Sequence, residues 1–351
     1  MQKIRAGIVG AASLLSSVLL RLLALHRHVE IVLLVSETKE GKKVEDVHRE
    51  LRGVISKKLV PYNPREIAEQ CEVVFLCKSH GEFWKKTGEL ITLAKRMKSA
   101  LKVIDLSADY RLHDPKLYPM WYGFEHKNAR LLRDAVYGLP EIHAGDIKEA
   151  ELVANPGCYP TCVLLGAAPL FQARVVEGAT LIVDACSGVS GAGLRPNERN
   201  LAMYTMENIL PYRVASHPHA AEMEQELTHI ARERIQVTFV PHVVSFKYGM
   251  LTNIYLRLKK RADYKSVVKM YQKFYQGKDF VRLLPEGEYP QIRNVVGTNL
   301  CEIGLVYDQR TGILIVMSVI DNLMKGGSGQ AVQNMNLMFG LEEKEGLPSV
   351  R

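Results

Sequence analysis

Residues 155–161 read Asn-Pro-Gly-Cys-Tyr-Pro-Thr. A short apolar run, Leu152-Val153-Ala154, leads into them, and a longer one, Val163-Leu164-Leu165-Gly166-Ala167-Ala168, leads away. The order predicts a strand, a tight turn, a cysteine and a helix. Pro160 suits the first helical turn, where a backbone N–H has no intrahelical acceptor to lose. Cys158 then stands beside a helix N-terminus. Unpaired N–H groups and the helix dipole there favour a thiolate, the nucleophilic form of cysteine. The same turn also accommodates a small buried hydrophobe, a common fate of free cysteine. On turn chemistry alone the two readings are equally good.

Upstream of this turn, strand-like and helix-like runs alternate. Ala6–Val9, Glu30–Val35, Val73–Cys77 and Val103–Leu106 read as short buried strands. Between them, Ser13–Leu25 carries helical apolar spacing at Leu15, Val18, Leu19, Leu22 and Leu23, and 64–71 and 82–99 read as further helices. This alternation predicts a doubly wound parallel sheet of Rossmann type, with ligands at the carboxyl ends of the strands. Gly10, Ser36, Ser79 and Ser107 fall near such ends.

Downstream the pattern changes. Helix 160–173 is followed by strand Thr180–Ala185 and a loop, Ser187-Gly-Val-Ser-Gly-Ala-Gly193. Helices follow at 220–233 and 263–276, the second with Val267, Tyr271, Phe274 and Tyr275 on its core face. Strands near 235–240, 249–258, 302–307 and 313–320 come with few crossover helices, which predicts a mixed-sheet α+β domain. A final helical segment, Gly326–Gly340, suggests a return to the first domain. We therefore expect residues 1–155 plus 326–351 to form a Rossmann-type domain, and 156–325 a second, α+β domain.

The chain has 351 residues, 47% apolar and 24% charged, with a net charge of +8. That balance favours anionic partners. The basic residues are scattered and aromatics are few, so the pattern speaks for a phosphorylated small molecule and against nucleic acid. Six cysteines at 71, 77, 158, 162, 186 and 301 form no C-x-x-C pair and fit no zinc spacing. Their apolar neighbours predict reduced thiols in a cytoplasmic protein. Lys3 and Arg5 before an apolar run mimic a secretory signal. Arg21 interrupts that run and no small-x-small cleavage site follows; a buried strand and helix explain it better. No other stretch is long and apolar enough to span a membrane.

Histidines 217 and 219 precede the helix 220–233. Two apart on an extended segment, they project to one side. They are compatible with metal ligation, although no third ligand stands at a telling spacing. They are equally compatible with a structural role, or with an acid–base group at a helix start beside an anion-binding neighbour. Glu222 faces away from the apolar stripe of that helix; it favours the first turn or binds a hydroxyl or cation. The Gly-rich loop 188–193 is either a connector or an anion site, with Arg195 just beyond it. The first turn, Gly7-Ile-Val-Gly10-Ala-Ala-Ser13-Leu-Leu-Ser16, lacks the G-x-G-x-x-G pattern, since Ser13 and Ser16 stand where glycines belong.

Taken together these segments resemble the N-acetyl-gamma-glutamyl-phosphate reductases of arginine biosynthesis, over essentially the whole chain. The resemblance rests on Asp105-Leu-Ser-Ala-Asp-Tyr-Arg-Leu112, Val136-Tyr-Gly-Leu-Pro-Glu141, the 155–161 heptad, the 187–193 loop, His217-Pro-His219, Glu222-Met-Glu-Gln-Glu-Leu227 and Ile320-Asp-Asn-Leu-Met-Lys-Gly-Gly-Ser-Gly-Gln-Ala-Val-Gln-Asn-Met-Asn336. It implies that residues 1–155 plus 326–351 are an NAD(P)-binding Rossmann domain, that 156–325 are a catalytic and dimerisation domain, and that the protein is a homodimer or homotetramer acting on an acyl phosphate. Cys158 would be the nucleophile that forms a thioester and His219 the acid–base group. Arg111, Ser187, Gly188, His217 and Glu222 would hold substrate. Gly10, Ala12, Ser13, Leu14, Leu15, Ser36, Glu37, Ser190, Gly191 and Asn322 would hold the cofactor, NADP by resemblance, with no metal.

Four departures touch this expectation. The family turn Gly-Ala-Ser-Gly-Tyr-Thr-Gly has lost two glycines to Ser13 and Ser16, and its Tyr-Thr pair is Leu14-Leu15. Glu37 replaces an Arg or Ser that meets the 2′-phosphate of NADP; an acid there suits the ribose diol of NAD. Lys39, Lys42 and Lys43 are near enough in sequence to offset it. Leu-Pro-His-Gly is here Lys78-Ser79-His80-Gly81, and Met-x-Arg-Gly is Phe246-Lys247-Tyr248-Gly249. These changes leave open an NADH-using or altered-specificity paralogue, or one without hydride transfer.

Overall fold

The computed structural model describes residues 2–193, 200–259 and 264–350. The chain forms two compact units. One comprises Met1–Pro156 with Gly327–Leu347, the other Gly157–Gly326 with Pro348–Arg351.

The first unit is built on β1 (Ile4–Val9), β2 (Val29–Val35), β3 (Val73–Leu76), β4 (Lys102–Asp105), β5 (Val136–Tyr137) and β6 (Leu152–Ala154). Their order in the sheet is β2-β1-β3-β4-β6-β5, and the pairs are all parallel. Continuous apolar runs such as Val73–Leu76, buried at all four positions, are what a sheet covered on both faces requires. Helices α1 (Leu14–Leu25), α2 (Pro64–Gln70) and α3 (Trp84–Arg96) make the crossovers.

Helix α1 buries Ser16, Leu19, Leu20, Leu22 and Leu23, whereas Leu15 and Val18 are only half-buried. The buried stripe is therefore rotated from the expected one. Ser16 tolerates burial because its hydroxyl donates to the Ser13 carbonyl (2.7 Å) and its amide to the Ser13 hydroxyl (3.1 Å). Helix α4 (Pro140–Glu149) and the two-residue β5 carry no periodicity long enough to read from sequence. The helix Gly329–Met338 is buried at every position. Its polar side chains are used within this unit: Asn334 donates to the Gly138 carbonyl (2.9 Å) and to the Asn155 side chain (3.0 Å).

His126 lies in the same unit, buried between the rings of Trp84 (4.7 Å) and Tyr118 (4.9 Å). Burial pushes its pKa down to about 4. The neutral form thus contributes stability that is complete above the unfolded value, about 6.5, and is lost as pH falls toward 4. In acid thermal melts, His126→Phe should remove a loss of up to about 3 kcal/mol between those limits. An unchanged acid limb in the variant would contradict the assignment.

The second unit holds β7 (Thr180–Gly188), β8 (Ile209–Pro211), β9 (Gln236–Val244), β10 (Met250–Arg257), β11 (Val281–Leu283), β12 (Cys301–Asp308) and β13 (Ile313–Ile320). The sheet runs β11-β12-β13-β10-β7-β9-β8. Parallel pairs β7/β9 and β11/β12 interrupt an otherwise antiparallel ladder. The edge strands β8 and β11, three residues each, are too short to show alternation. Helices α5 (Cys158–Gln172), α6 (His219–Ala231) and α7 (Tyr264–Phe274) pack on this sheet. Gly166 lets α5 approach β10, because a Cβ there would fall 2.8 Å from Ile254 Cδ1. Two tyrosines, one on α7 and one just after it, pin α5: Tyr271 donates to the Gly166 carbonyl (2.6 Å) and Tyr275 to that of Leu165. Phe274, expected with them, is half-buried.

No helix among the described residues is long and apolar enough to cross a membrane.

Candidate active site

Helix α5 begins at Cys158, with Gly157 as its N-cap. The Thr161 amide and hydroxyl both reach back to the Gly157 carbonyl at 3.0 Å, closing the first turn. Pro160 occupies that turn without losing a backbone bond. Cys158 is half-buried, and all six cysteines are outside disulfides. Burial pushes the thiols of Cys71 to about 12 and Cys162 to about 11, and raises that of Cys77 as well. Cys186 is raised by burial and by the charge of Asp184. These four are held as neutral thiols. The Cys158 side chain instead lies at the amide end of a helix of 15 residues.

Two further residues crowd the cysteine. A Cβ on Gly326 would sit 2.8 Å from Cys158 Cβ, and one on Gly157 would sit 2.5 Å from His219 Nε2. Gly157 is thus the platform on which the imidazole lies, directly before the cysteine in the chain. Neither glycine stood out from sequence beyond its place in a glycine-containing run, because close approach is a property of the neighbour. Gly157→Ala should displace His219 and lower turnover by about 10²-fold with Cys158 intact, read as kcat beside the rate of Cys158 alkylation. Unchanged kcat would show that the imidazole position is immaterial.

His219 opens α6, with Pro218 as N-cap. The His219 amide donates to His217 Nδ1 (3.1 Å), and the two rings lie 4.5 Å apart. The pair therefore converges through a local helix-start turn, not by alternation along an extended segment. His217 is wedged among Tyr159, Tyr212 and Phe239 at 5.5–5.7 Å.

Glu222 does not face outward as expected: it is 0% exposed. Its Oε2 accepts the Gly157 N–H (3.0 Å), and its Oε1 lies 3.8 Å from His219 Nε2. The carboxylate thereby joins the start of α6 to the start of α5. The apolar stripe could not reveal this, because the partner of Glu222 is a backbone amide 65 residues away.

The Gly-rich loop continues β7 into a 3₁₀ turn, Val189–Ala192. Gly188 is required, since a Cβ would meet the Lys247 carbonyl oxygen at 2.7 Å. Asn322 bridges the loop, donating to Ser190 Oγ (2.9 Å) and accepting the Gly249 N–H (2.8 Å). Gly191 lies beside Ser187 and Asn322. Ser187, Gly188, Ser190, Gly191 and Asn322 are thus one cluster in the second unit. Tyr159 was not singled out from sequence; its hydroxyl donates to the His242 carbonyl (3.3 Å) and accepts from Tyr212 (3.3 Å). Arg195 lies outside the described residues.

Arg111 sits in the first unit, buried. Its guanidinium donates to the carbonyls of Asn155 (2.7 Å) and Leu106 (3.2 Å). Two of its donors are therefore committed to backbone, tying the end of β4 to the residue that follows β6. Nearby, burial and mutual repulsion raise the pKa of Asp105 beside Asp109, and the Arg111 charge opposes that rise.

The turn after β1 also belongs to the first unit. Gly10 has φ +85°, and a Cβ there would meet the Cys77 carbonyl oxygen at 2.3 Å, so only glycine fits. Ser13 caps α1. The amides of Leu14 and Leu15 open the helix without an intrahelical acceptor, and Ala12 precedes the cap. Ser328 donates to the Leu15 carbonyl (2.7 Å) and steadies this first turn. Such a helix start suits a pyrophosphate even without the second and third glycines. Ser36 is buried at the end of β2. Glu37 follows it, and its carboxylate is paired with Lys78 (3.0 Å) and Lys86 (2.9 Å). The lysines that offset Glu37 are thus not its sequence neighbours; Lys43 pairs with Glu45 instead (3.5 Å).

Residues 5–150 match the family model described as semialdehyde dehydrogenase, NAD binding domain, and residues 158–322 match semialdehyde dehydrogenase, dimerisation domain. An N-acetyl-gamma-glutamyl-phosphate reductase of Moorella thermoacetica is 43% identical over 97% of this chain and 96% of the relative. One of Geobacter sulfurreducens is 45% identical over 98% of each. Among solved structures, aspartate semialdehyde dehydrogenase II of Vibrio cholerae matches with a TM-score of 0.70 at 19% identity, over 97% of this chain and 99% of that one. The Candida albicans aspartate semialdehyde dehydrogenase with NADP matches with a TM-score of 0.69 at 16% identity, over 96% and 99%. The structural matches establish the fold, and the sequence matches carry the subfamily. The chain belongs to the N-acetyl-gamma-glutamyl-phosphate reductase family of semialdehyde dehydrogenases.

Proposed function

We propose that this protein reduces N-acetyl-gamma-glutamyl phosphate to N-acetylglutamate 5-semialdehyde through a thioester on Cys158, as a cytoplasmic homodimer or homotetramer in arginine biosynthesis. The observation that carries the reading is the shared platform at Gly157. One residue positions the helix-start cysteine, the His219 imidazole and the buried Glu222 carboxylate.

In this reading the Cys158 thiolate attacks the acyl carbon, a C–S bond forms, and the C–O bond to phosphate breaks as phosphate leaves. A nicotinamide cofactor, when bound, would supply the hydride for reduction of the thioester. His219 protonates the resulting thiohemiacetal oxygen, then takes that proton back as the C–S bond breaks to release aldehyde and thiolate. Glu222 has its Oε1 3.8 Å from His219 Nε2. Its bond to the Gly157 amide keeps the platform in place. Arg111 positions the segment before the cysteine, while His217, Ser187 and Gly188 line the substrate side. Gly10, Ala12, Ser13, Leu14 and Leu15 would cradle the pyrophosphate of the cofactor. Ser190, Gly191 and Asn322 would meet its nicotinamide half.

The test is acylation without cofactor. Incubation with N-acetyl-gamma-glutamyl phosphate should release one phosphate per chain and add one acyl group to Cys158 by peptide mass. Beta-aspartyl phosphate should acylate far more slowly. Acylation of another residue, or equal rates with both substrates, would overturn the reading.

A further inference from the structure

The end of β2 carries a charge arrangement that the substitution of Glu37 alone would not suggest. Both carboxylate oxygens of Glu37 are occupied: Oε2 by Lys78 Nζ at 3.0 Å and Oε1 by Lys86 Nζ at 2.9 Å. Lys78 follows β3, and Lys86 is the third residue of α3. The three charges therefore gather at the carboxyl ends of two strands that flank β1. In doubly wound folds this is where the adenosine ribose of a dinucleotide lies.

Four features distinguish this trio from an incidental surface ion pair. Both ammonium groups lie 5.5 Å from the centroid of the buried Phe83 ring, and Lys86 lies 5.1 Å from that of Tyr62, so aromatic faces prop them. The Lys78 stem runs over the phosphate turn, 3.3 Å from where a Cβ on Gly10 would stand. The two lysines and one carboxylate sum to a formal charge of +1, so the site is short of one negative charge. Hydrogen bonds from Lys86 and then Lys78 hold the Glu37 carboxyl below its ordinary range, so it is ionised at neutral pH.

We infer that Glu37, Lys78 and Lys86 form an exchangeable anion site that reads the adenosine 2′-position of the cofactor. The 2′-phosphate of NADPH takes the two ammonium groups in place of the Glu37 carboxylate. With NADH the carboxylate remains and accepts from the ribose hydroxyls. Glu37 is then a stand-in anion that presets the lysine spacing, and the cost to NADPH is the loss of two lysine–carboxylate contacts rather than repulsion by a bare carboxylate. This rests on the proposed nicotinamide dependence and names the residues that set its selectivity.

The test measures binding to the full chain by calorimetry at low salt, with adenosine 2′,5′-bisphosphate and adenosine 5′-monophosphate as probes. The bisphosphate should bind at least about tenfold more tightly, as charge-assisted hydrogen bonds imply. Lys78→Met and Lys86→Met should each cancel roughly tenfold of that and change the monophosphate less than about twofold. Glu37→Gln should tighten the bisphosphate several-fold and weaken NADH. Equal binding of the two probes by the wild-type chain would overturn the inference. So would lysine variants that weaken both probes equally, or a Glu37→Gln variant that alters neither NADH nor bisphosphate binding. Cys158 acylation needs no nucleotide, so it scores the proposed reaction separately.

Discussion

Cys158→Ser is expected to leave the chain folded and to lower reductase turnover by at least about 10³-fold, because a hydroxyl at the start of α5 does not ionise near neutral pH as a thiol can. The substitution removes one sulfur from a half-buried position, so the thermal midpoint should move little. Acyl-enzyme should vanish from peptide maps after incubation with the acyl phosphate. A companion measurement separates this cysteine from the others. Iodoacetamide should alkylate Cys158 first, since burial holds Cys71, Cys77 and Cys162 as neutral thiols and Cys186 is disfavoured by Asp184 as well. Faster labelling of Cys186 or Cys162 would remove Cys158 from the nucleophile's role, as would a serine variant that keeps full turnover.

The second large effect concerns His219. His219→Asn should lower kcat by about 10²- to 10⁴-fold, with a smaller change in KM, because proton transfer to and from the thiohemiacetal oxygen is lost while the binding surface remains. His217→Asn should do the reverse. His217 is enclosed by aromatic rings and its Nδ1 accepts the His219 amide, so it supports the imidazole, and under the proposed function also the substrate, without being placed on Gly157. Should His217→Asn cost turnover while His219→Asn alters only KM, the two roles are exchanged. Single-turnover measurements that monitor phosphate release and aldehyde formation separately would show which step each variant slows. The His219 variant should retain the phosphate burst and stall after it.

The fold class was legible because its signals are local and repeated. Val73–Leu76 is apolar at every position, as a covered parallel strand must be, and the helical spacing of α1 sits between two such runs. What escaped were elements too short to repeat their own pattern, such as the three-residue strands β8 and β11 and the two-residue β5. The α1 stripe was misread by part of a turn. An apolar count favours Leu15 and Val18, whereas a serine that satisfies its own hydrogen bonds can be buried in their place.

Sequence by itself determined the alternation that makes the parallel sheet, the change to a mixed sheet, and a cysteine at a helix start, since each depends on neighbours within a few residues. Only the tertiary structure decided what Gly157, Glu222, Gly326 and Glu37 touch. Gly157 must lack a side chain because His219 lies on it, and Gly326 because Cys158 does. Glu222 is buried because the Gly157 amide, far away in the chain, needs an acceptor. Glu37 is neutralised by Lys78 and Lys86 rather than by the lysines beside it in sequence. The reason is the same in each case. A backbone amide, a ring face or an ammonium group brought from another element leaves no mark on the local residue pattern, and hydrogen bonding and close packing act on whatever the fold brings within about 3–4 Å.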